Sequence, residues 1–416
     1  MSAADTARQW ARIEPGCAVP YTAFTDQHYF ALEQERVFHG PTWSFVGLEA
    51  EIPQRGDFKS TFIGATPVIV IRDNDGGINV LENRCAHRGA LICRQAHGRV
   101  SRLSCVYHQW TYDLRGSLLG VPFRGGINGQ GGMPPEFKLA EHGLNALRVE
   151  SLAGLIFASF SAQVPPLRDY LGPMVVASIE RICQRPLEVL GEQRQYMHGN
   201  WKLYAENTRD PYHASLLHLF HTTFGLYRSS QTGACLMDES HRHTMLYAKA
   251  GSSNAAADSE IYKDVRSFDT SFKLRDPSVL AGRAEFDDGI TLVILSVFPN
   301  LVLQQIANTL AVRQLVPDKV DGFELVWTHF GYSDDDEQMR GIRLKQSNLI
   351  GPAGFISMED GEAVEIVQKA IRDNQRSSSY IAMGGGRAED CAHLVTESAI
   401  VGFWEYYRSL LGITAA

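Results

Sequence analysis

The stretch that decides the fold runs from Arg84 to Asp113 and contains the segments RCAHRG at 84–89 and CVYHQWTYD at 105–113. One residue separates Cys85 from His87, two residues separate Cys105 from His108, and seventeen residues lie between the two pairs. Each segment therefore offers one thiolate and one imidazole. Two loops folded against each other could give one metal two sulfur ligands and a second metal two nitrogen ligands.

This donor set is that of a Rieske [2Fe–2S] centre, in which two histidines replace two cysteines on one iron. Zinc also accepts two cysteines and two histidines, but its common spacing places a cysteine pair before a histidine pair, whereas each pair here is mixed. Zinc and a chance pattern in an ordinary core are the alternatives. Three glycines predict tight loops with positive φ: Gly89, Gly98 and Gly116. Three aromatic residues are expected to shield a cluster from water: Tyr107, Trp110 and Tyr112.

Composition limits the class of protein. The chain has 416 residues and a formal net charge of −8, which predicts two or three domains and excludes the basic footprint of a nucleic-acid-binding protein. Seven cysteines in a chain of this length do not form a disulfide framework. A signal peptide and a run of eighteen apolar residues are both missing from the sequence, so we expect a soluble, cytoplasmic protein.

The order of elements predicts an α+β fold. Runs of antiparallel strands followed by runs of helices are typical of that class. We expect an N-terminal helical segment over 1–40, a small antiparallel β-domain carrying the cluster over 41–161, and a larger domain over 162–416 in which helices pack on an antiparallel sheet.

A second candidate metal site lies in the segment 200–221. His213 and His218 are five residues apart, which is ~500° of rotation on an ideal helix and would splay their rings. A π-like turn or a break between them would bring the rings together. Asp210-Pro211 supplies an irregularity just before them, either as an N-cap followed by proline or as a kink.

Two histidines and one carboxylate form the facial triad of a non-haem iron(II) oxygenase. Position along the chain does not choose among five carboxylates: Glu206, Asp210, Glu359, Asp360 and Glu362.

Both motifs, in this order, resemble the large (alpha) subunits of Rieske non-haem iron aromatic ring-hydroxylating oxygenases. The segment GPAGFISMEDG at 351–361 is similar to the carboxylate segment of that family. The resemblance implies a Rieske cluster, a mononuclear Fe(II) and a helix-grip-like catalytic domain on which the segment 1–40 packs. It assigns Asp360 to the iron, with Glu359 as the alternative. It also implies that Asn207 lies near the iron and that Asp210 bridges a Rieske histidine of one subunit to an iron histidine of its neighbour, in a homotrimer or an α3β3 assembly.

Within the family the chain resembles the aromatic-acid branch, which acts on anthranilate, salicylate and terephthalate. The resemblance rests on FGLYR at 224–228, QQ at 304–305 and VRQL at 312–315. Arg313 is either a strand residue that faces the surface or a residue whose guanidinium binds a substrate carboxylate in a bidentate pair. We expect a second arginine at residue 394 in a terephthalate enzyme, but this chain has Leu394 beside His393, which favours a mono-acid such as anthranilate or salicylate.

The predicted activity is hydroxylation of an aromatic acid with O2. A dinucleotide-binding fingerprint in strand–helix context is missing from the sequence, so a separate reductase, with a ferredoxin, is expected to deliver the electrons. Dioxygenation is favoured over the monohydroxylation of a salicylate 5-hydroxylase, and a terephthalate-type enzyme is a further alternative. A Rieske protein that only carries electrons and a zinc-stapled binding module are the hypotheses from other classes.

Overall fold

The computed structural model describes residues 17–249, 251, 255–374 and 377–413. It divides into one unit of Phe38–Leu167 and a larger unit made of the described residues of Met1–Val37 and Arg168–Ala416. The limits of the first unit differ by a few residues from the domain boundaries that the sequence suggested at 41 and 161. The part of the predicted N-terminal segment that covers 1–16 lies outside the described residues.

The first unit contains three small antiparallel sheets, with strand orders β10-β11-β2, β5-β4-β3-β6 and β7-β8-β9. Strand β4 is central in its sheet because its sequence, TPVIVIR, is rich in β-branched residues, and Val68, Ile69, Val70 and Ile71 are all buried. The strands of this unit are β2 Ser44–Leu48, β3 Asp57–Ile63, β4 Thr66–Arg72, β5 Ile78–Glu82, β6 His97–Arg99, β7 Leu103–Ser104, β8 Thr111–Tyr112, β9 Leu118–Gly120, β10 Arg148–Leu152 and β11 Leu155–Ser159.

The larger unit is built on a seven-stranded antiparallel sheet in the order β12-β18-β17-β16-β15-β14-β13. A second sheet of two strands joins β1 to β19. The strands are β1 Ala18–Pro20, β12 Leu187–Met197, β13 Thr232–Met237, β14 Thr244–Lys249, β15 Leu292–Val297, β16 Leu301–Ile306, β17 Thr309–Lys319, β18 Gly322–Tyr332 and β19 Ser378–Tyr380.

Ten α-helices are described in the chain. They are α1 Thr22–Thr25, α2 Gln27–Glu33, α3 Leu167–Ile182, α4 Trp201–Asn207, α5 Pro211–Leu217, α6 Leu219–Phe224, α7 Ala255–Ile261, α8 Glu337–Ile350, α9 Phe355–Ile371 and α10 Ser398–Leu410. A π-helical turn, Gln34–Phe38, follows α2. Helices and a largely antiparallel sheet confirm the predicted α+β class.

The register of the large sheet determines which side chains face the helices. Directly paired residues of antiparallel strands share a face. Leu246 pairs with Ile294, and Leu292 pairs with Ile306, so these four apolar side chains project on one side. Arg313 lines the same cavity as they do. The sheet therefore supplies an apolar floor that contains one cation.

None of the described helices is both long enough and apolar enough to cross a membrane.

Candidate metal centres and catalytic cavity

The two cysteine–histidine loops have matching backbone conformations. The backbone NH of Cys85 donates to the carbonyl of Ala90, and that of Cys105 donates to the carbonyl of Trp110, both at 2.9 Å. Four residues after each cysteine the backbone is left-handed, with φ of 73° at Gly89 and 55° at Gln109. Each loop is thus a tight turn that begins at its cysteine.

The donor atoms in these loops fit a cluster with two sulfur and two nitrogen ligands. The thiols of Cys85 and Cys105 are buried, and Sγ of Cys85 lies 3.2 Å from Oη of Tyr112, within hydrogen-bonding distance. The rings of His87 and His108 lie 4.6 Å apart, at an interplanar angle of 74°. Nδ1 of His108 is buried and has no hydrogen-bond partner within the described part of the chain. Two buried thiols and two adjacent imidazoles, one with a free ring nitrogen, are what a Rieske centre requires.

Two of the three predicted shielding aromatics are placed as expected. Trp110 stacks on the ring of His87 at 4.8 Å, and Tyr112 is fully buried. The third, Tyr107, is 56% exposed and so lies at the surface of this unit. It lies beside His108, at 3.9 Å between ring centroids, and Arg88 contacts it from the other loop.

The prediction of a positive φ at Gly98 was wrong. Gly116 and Gly89 have positive φ, but Gly98 lies in the strand β6 and is not in the left-handed region. A Cβ atom at Gly98 would meet the ring of Phe58 at 2.7 Å. Gly98 is therefore needed for close packing against β3, and not for a turn.

A helix break brings the second pair of histidines together. Asp210 is the N-cap of α5, its side chain accepts from the backbone NH groups of Tyr212 and His213, and Pro211 follows it at the first helical position. His218 ends α5 in an extended conformation, with φ −90° and ψ 105°, and α6 begins at the next residue. The predicted break thus occurs at His218 itself, and the rings of His213 and His218 lie 5.4 Å apart.

Asp360, from α9, completes a group of three donors. Its Oδ1 lies 3.3 Å from Nε2 of His213 and 3.2 Å from Nε2 of His218. The three ligand atoms lie within 4.8 Å of one another, and His218 and Asp360 are buried. Two imidazole nitrogens and one carboxylate oxygen converging in this way could hold a metal with open positions.

Two further carboxylates contact the outward nitrogens of the same imidazoles. Oε2 of Glu359 lies 2.8 Å from Nδ1 of His218, and Oδ2 of Asp210 lies 3.3 Å from Nδ1 of His213. The second contact is electrostatic, because its alignment does not satisfy a hydrogen bond. Such carboxylates fix the ring orientation and the tautomer of a metal-binding histidine. Glu359 therefore faces the nitrogen of His218 that points away from the group of three donors, and Asp360 faces the nitrogen that points into it.

The electrostatics of the group favour a cation. Burial alone would raise the pKa of Asp360, but the imidazoles of His218 and His213 hold it well below its usual range. Burial lowers the pKa of His213, yet Asp210 and Asp360 outweigh this and raise it to about 10. The carboxylates thus stabilise positive charge between the rings, which a metal ion would supply in place of protons.

Asn207, the last residue of α4, also reaches this group. Its Nδ2 donates to Oδ1 of Asp360 at 2.9 Å and lies 3.3 Å from Nε2 of His213. The amide therefore orients the carboxylate of Asp360 toward the two imidazoles.

A cavity with an empty volume of ≈ 460 Å³ adjoins the three donors. Arg313 lines it and is buried, so it is not the surface-facing strand residue of the alternative interpretation. Its Nη1 donates to the hydroxyl of Tyr204 at 2.8 Å, and its guanidinium stacks over Trp327 at 4.2 Å. None of the residues that the structure describes is a hydrogen-bond partner of its Nε. The apolar lining is formed by Ala214, Leu246, Leu292, Ile294, Ile306 and Ile356.

His221 also lines the cavity, and sequence reasoning did not identify it as a candidate functional residue. It is buried three positions after His218, with 5.1 Å between their ring centroids, and its Nδ1 has no hydrogen-bond partner in the described ranges. The spacing of one helical turn from a candidate ligand was the available signal.

Two family models match the chain. Residues 42–130 match the Rieske [2Fe-2S] domain, and residues 186–411 match the ring hydroxylating alpha subunit (catalytic domain). These descriptions imply a Rieske cluster and a mononuclear iron as the cofactors of the chain, as the donor groups above predicted.

Three relatives have names that identify aromatic acids. The chain is 49% identical to the anthranilate 1,2-dioxygenase large subunit of Burkholderia cepacia, over 96% of this chain and 94% of the relative. It is 49% identical to terephthalate 1,2-dioxygenase, terminal oxygenase component subunit alpha 2, of Comamonas sp, over 95% of each chain. It is 43% identical to the salicylate 5-hydroxylase large oxygenase component of Ralstonia sp, over 96% and 95%.

Among solved structures, naphthalene 1,2-dioxygenase from Rhodococcus sp. bound to indole superimposes with a TM-score of 0.78 at 24% identity, over 95% of this chain and 94% of that chain. This likeness supports the fold alone. The identities to the three relatives, together with the match over residues 186–411, show the family as well as the fold. This chain belongs to the family of Rieske ring-hydroxylating oxygenase large subunits.

Proposed function

We propose that this chain is the terminal oxygenase component that hydroxylates an aromatic carboxylic acid, with O2 and with electrons relayed from NAD(P)H. Anthranilate and salicylate are the substrates that we favour. The observation that carries the proposal is a single buried cation in the cavity beside the three converging donors.

That cation is Arg313. Among the described residues, none of the ion pairs involves Arg313, and its Nε has no hydrogen-bond partner. An uncompensated guanidinium is expensive to bury, so its counter-charge is expected to come from a ligand. A guanidinium presents parallel N–H donors that match the two oxygens of a carboxylate. An aromatic ring attached to that carboxylate would then contact the apolar floor of β15 and β16.

The metal ligands follow from the donor sets. We propose that the Rieske cluster is held by Cys85, His87, Cys105 and His108, and the mononuclear iron by His213, His218 and Asp360. An iron held by three protein ligands leaves positions for O2, and it supplies the oxygen chemistry when bound. The residues of the chain bind the acid, exclude water from the apolar floor and orient the ligands.

Asp210 and Asn207 are proposed to support the iron site. Asn207 holds the carboxylate of Asp360, and Asp210 caps α5 while it contacts Nδ1 of His213. Asp210 also lines a second cavity, together with Glu206, Leu217, Val367 and Ile400. We propose that this second cavity receives a Rieske histidine from a neighbouring subunit, so that Asp210 couples the two centres.

The proposed assembly is a homotrimer or an α3β3 complex with a small β-subunit. A separate reductase, with a ferredoxin, is proposed as the electron donor. Dioxygenation is favoured because the anthranilate and terephthalate relatives are named dioxygenases, and monohydroxylation of the salicylate 5-hydroxylase type is the alternative.

Terephthalate is the less favoured acid. Leu394, where a second arginine was expected for a dicarboxylate, is fully buried in the apolar cluster beside the cavity. His393 is exposed to solvent, so it does not supply a replacement cation in that cluster.

The test is product analysis with a panel of benzoic acids, using purified protein with a competent reductase. Arg313→Met should lower kcat/KM for the preferred acid by ~10- to 100-fold, since a charged hydrogen bond contributes about 1.5–3 kcal/mol. Arg313→Lys keeps the positive charge but loses the parallel N–H donors of the guanidinium, so it should recover only part of the lost kcat/KM. Arg372→Met, at an arginine whose side chain is 59% exposed, is the matched control and should turn over normally.

An enzyme that hydroxylates the panel equally well with Arg313→Met would contradict the carboxylate anchor. Two other classes of protein are separated by the same preparation. A pure electron carrier would show the Rieske spectrum without oxygen uptake, and a zinc module would be colourless.

A further inference from the structure

Most polar side chains that line the cavity already have partners. The amide of Asn207 donates to Asp360, and the hydroxyl of Tyr227 donates to the carbonyl of Pro211 at 2.8 Å. The hydroxyl of Thr208 accepts from Ser296 at 3.0 Å and lies 3.3 Å from the carbonyl of Ala205. Asp210 caps a helix. These groups have little hydrogen-bonding capacity left for a substrate.

Three lining residues keep buried polar atoms that have no hydrogen-bond partner among the described residues: His213 at Nδ1, which lies 3.3 Å from Oδ2 of Asp210, Arg313 at Nε and His221 at Nδ1. A buried donor or acceptor that lacks a partner costs ~1–3 kcal/mol. Arg313 is assigned above to the carboxylate. The unpartnered nitrogen of His221 therefore needs a second contact from whatever occupies the cavity.

The position of His221 is fixed by its surroundings. It lies in α6, which begins directly after His218, and its side chain is buried. Its ring is 5.1 Å from the ring of His218 and 5.8 Å from that of Tyr227, and its backbone carbonyl accepts from the NH of Tyr227 at 3.3 Å. The imidazole is thus held at the iron side of the cavity.

We propose that His221 is the specificity-determining residue that recognises a neutral hydrogen-bonding substituent, an amino or hydroxyl group, on the ring of the aromatic acid whose carboxylate binds Arg313. The inference rests on the proposed function and names its substrate class. An imidazole nitrogen can donate to a hydroxyl oxygen or accept from an amino or hydroxyl hydrogen, depending on its tautomer.

A second carboxylate on the ring fits this cavity poorly. Arg313 is the only lysine or arginine among the described residues that line it. A dicarboxylate would place its second charge among apolar side chains, where a buried ion without a partner is strongly disfavoured. A ring with one carboxylate and one neutral polar substituent offers a hydrogen-bond partner to Arg313 and another to His221.

The test compares substrates within each enzyme preparation. The measured quantity is the ratio of kcat/KM for an amino- or hydroxybenzoate to that for benzoate, for wild type, His221→Leu and His221→Gln. This ratio cancels the fraction of active enzyme, so partial misfolding or partial iron loss does not disturb it. The 2-, 3- and 4-substituted acids show which ring position the imidazole contacts.

We expect wild type to prefer one substituted acid over benzoate. His221→Leu should reduce that preference by ~10- to 100-fold, as expected for removal of one buried hydrogen bond, and His221→Gln should restore part of it. Anaerobic binding titrations of the same acids should show the same loss in relative Kd. Arg313→Met is the contrasting variant, because it should weaken all the mono-acids together.

An unchanged preference in His221→Leu would overturn the proposal, since the imidazole would then not contact the ring substituent. A wild-type preference for benzoate or terephthalate would overturn it as well. Failure of the wild type to hydroxylate any aromatic acid would contradict the proposed function itself, so the two failures are distinguishable.

Discussion

Two adjacent carboxylates near the iron site differ in which nitrogen they face. Asp360 faces Nε2 of His213 and His218, whereas Glu359 contacts Nδ1 of His218. Neighbouring residues on a helix point ~100° apart, so α9 presents only one of the two carboxylates to the centre of the group. This geometry separates the two acids that the sequence alone left as alternatives.

Asp360→Ala should abolish binding of the mononuclear iron while the Rieske absorption is kept, because one of the three proposed ligands is lost. Glu359→Gln should retain the iron with an affinity lowered by ~10- to 100-fold, as for other residues that orient a metal-binding histidine. Iron content per chain and the visible spectrum measure both effects. Loss of iron in Glu359→Gln with full iron in Asp360→Ala would reverse the two roles.

At the residue scale, the sequence predicts the side chains that could bind a metal better than it predicts the exposure and packing of the residues around them. The Cys/His spacing was sufficient to propose the cluster ligands because they lie in two short loops. Asn207 and Asp360 are 153 positions apart, so the residues alone did not select the carboxylate. The exposure of Tyr107 and the packing role of Gly98 depend on neighbouring strands, which local spacing does not report.

At the scale of elements, α4 is anchored by a buried ion pair. Nζ of Lys202 lies 2.5 Å from Glu33, a residue of α2, and both side chains are fully buried. The indole of Trp201 and the hydroxyl of Tyr407 donate to the same carboxylate. The N-terminal helix thus contacts the helix that carries Asn207.

Glu33→Gln should destabilise the larger unit by ~3–5 kcal/mol, because it leaves the ammonium of Lys202 buried without a counter-charge. Chemical denaturation measures this loss. Adding Lys202→Met to Glu33→Gln should recover much of it, since the uncompensated charge is then removed as well. Glu35→Gln, at an exposed position of the adjacent π-helical turn, is the control and should stay within ~0.5 kcal/mol of wild type. Equal losses at both positions would argue against the buried pair.

Helix α4 also contains a carboxyl group whose ionisation opposes folding. Burial raises the pKa of Glu206 from 4.5 to about 8, although the indole of Trp404 donates to it. Between these values the folded chain binds a proton that the unfolded chain has lost. The stabilisation from this proton is complete below pH 4.5 and is lost as the pH rises through about 8.

Glu206→Gln should therefore become more stable relative to wild type as the pH rises, by at most ~1.4 kcal/mol per pH unit between these two pKa values. Denaturant midpoints at several pH values measure the difference. A difference that does not change with pH would show that Glu206 is ionised in the folded protein.

At the scale of the whole molecule, the order of the two centres along the chain and the α+β class were predictable, because motif spacing and strand–helix order are local signals. The family match then fixed the class of enzyme. The break at His218 was predictable only as one of two ways to bring the rings together. The assembly of subunits was not predictable from residue patterns, because contacts between copies leave no periodic signal.

We propose that electrons entering at the cluster reach the iron through Asp210 of a neighbouring subunit. Asp210→Asn should leave both metal centres occupied, because Asp210 is not among the proposed ligands, yet turnover should fall steeply. The charge that fixes the tautomer of His213 is lost, together with one hydrogen-bond acceptor.

Activity of mixed trimers tests this claim most directly. Chains with Asp210→Asn keep the cluster but lack the bridge, and chains with Cys85→Ser keep the bridge but lack the cluster, so trimers of either chain alone should be nearly inactive. Verified mixed trimers should recover part of the wild-type turnover, because an intact Asp210 then lies next to an intact cluster from the other kind of chain. No recovery in the mixed trimers, or normal turnover by trimers of Asp210→Asn alone, would contradict the account.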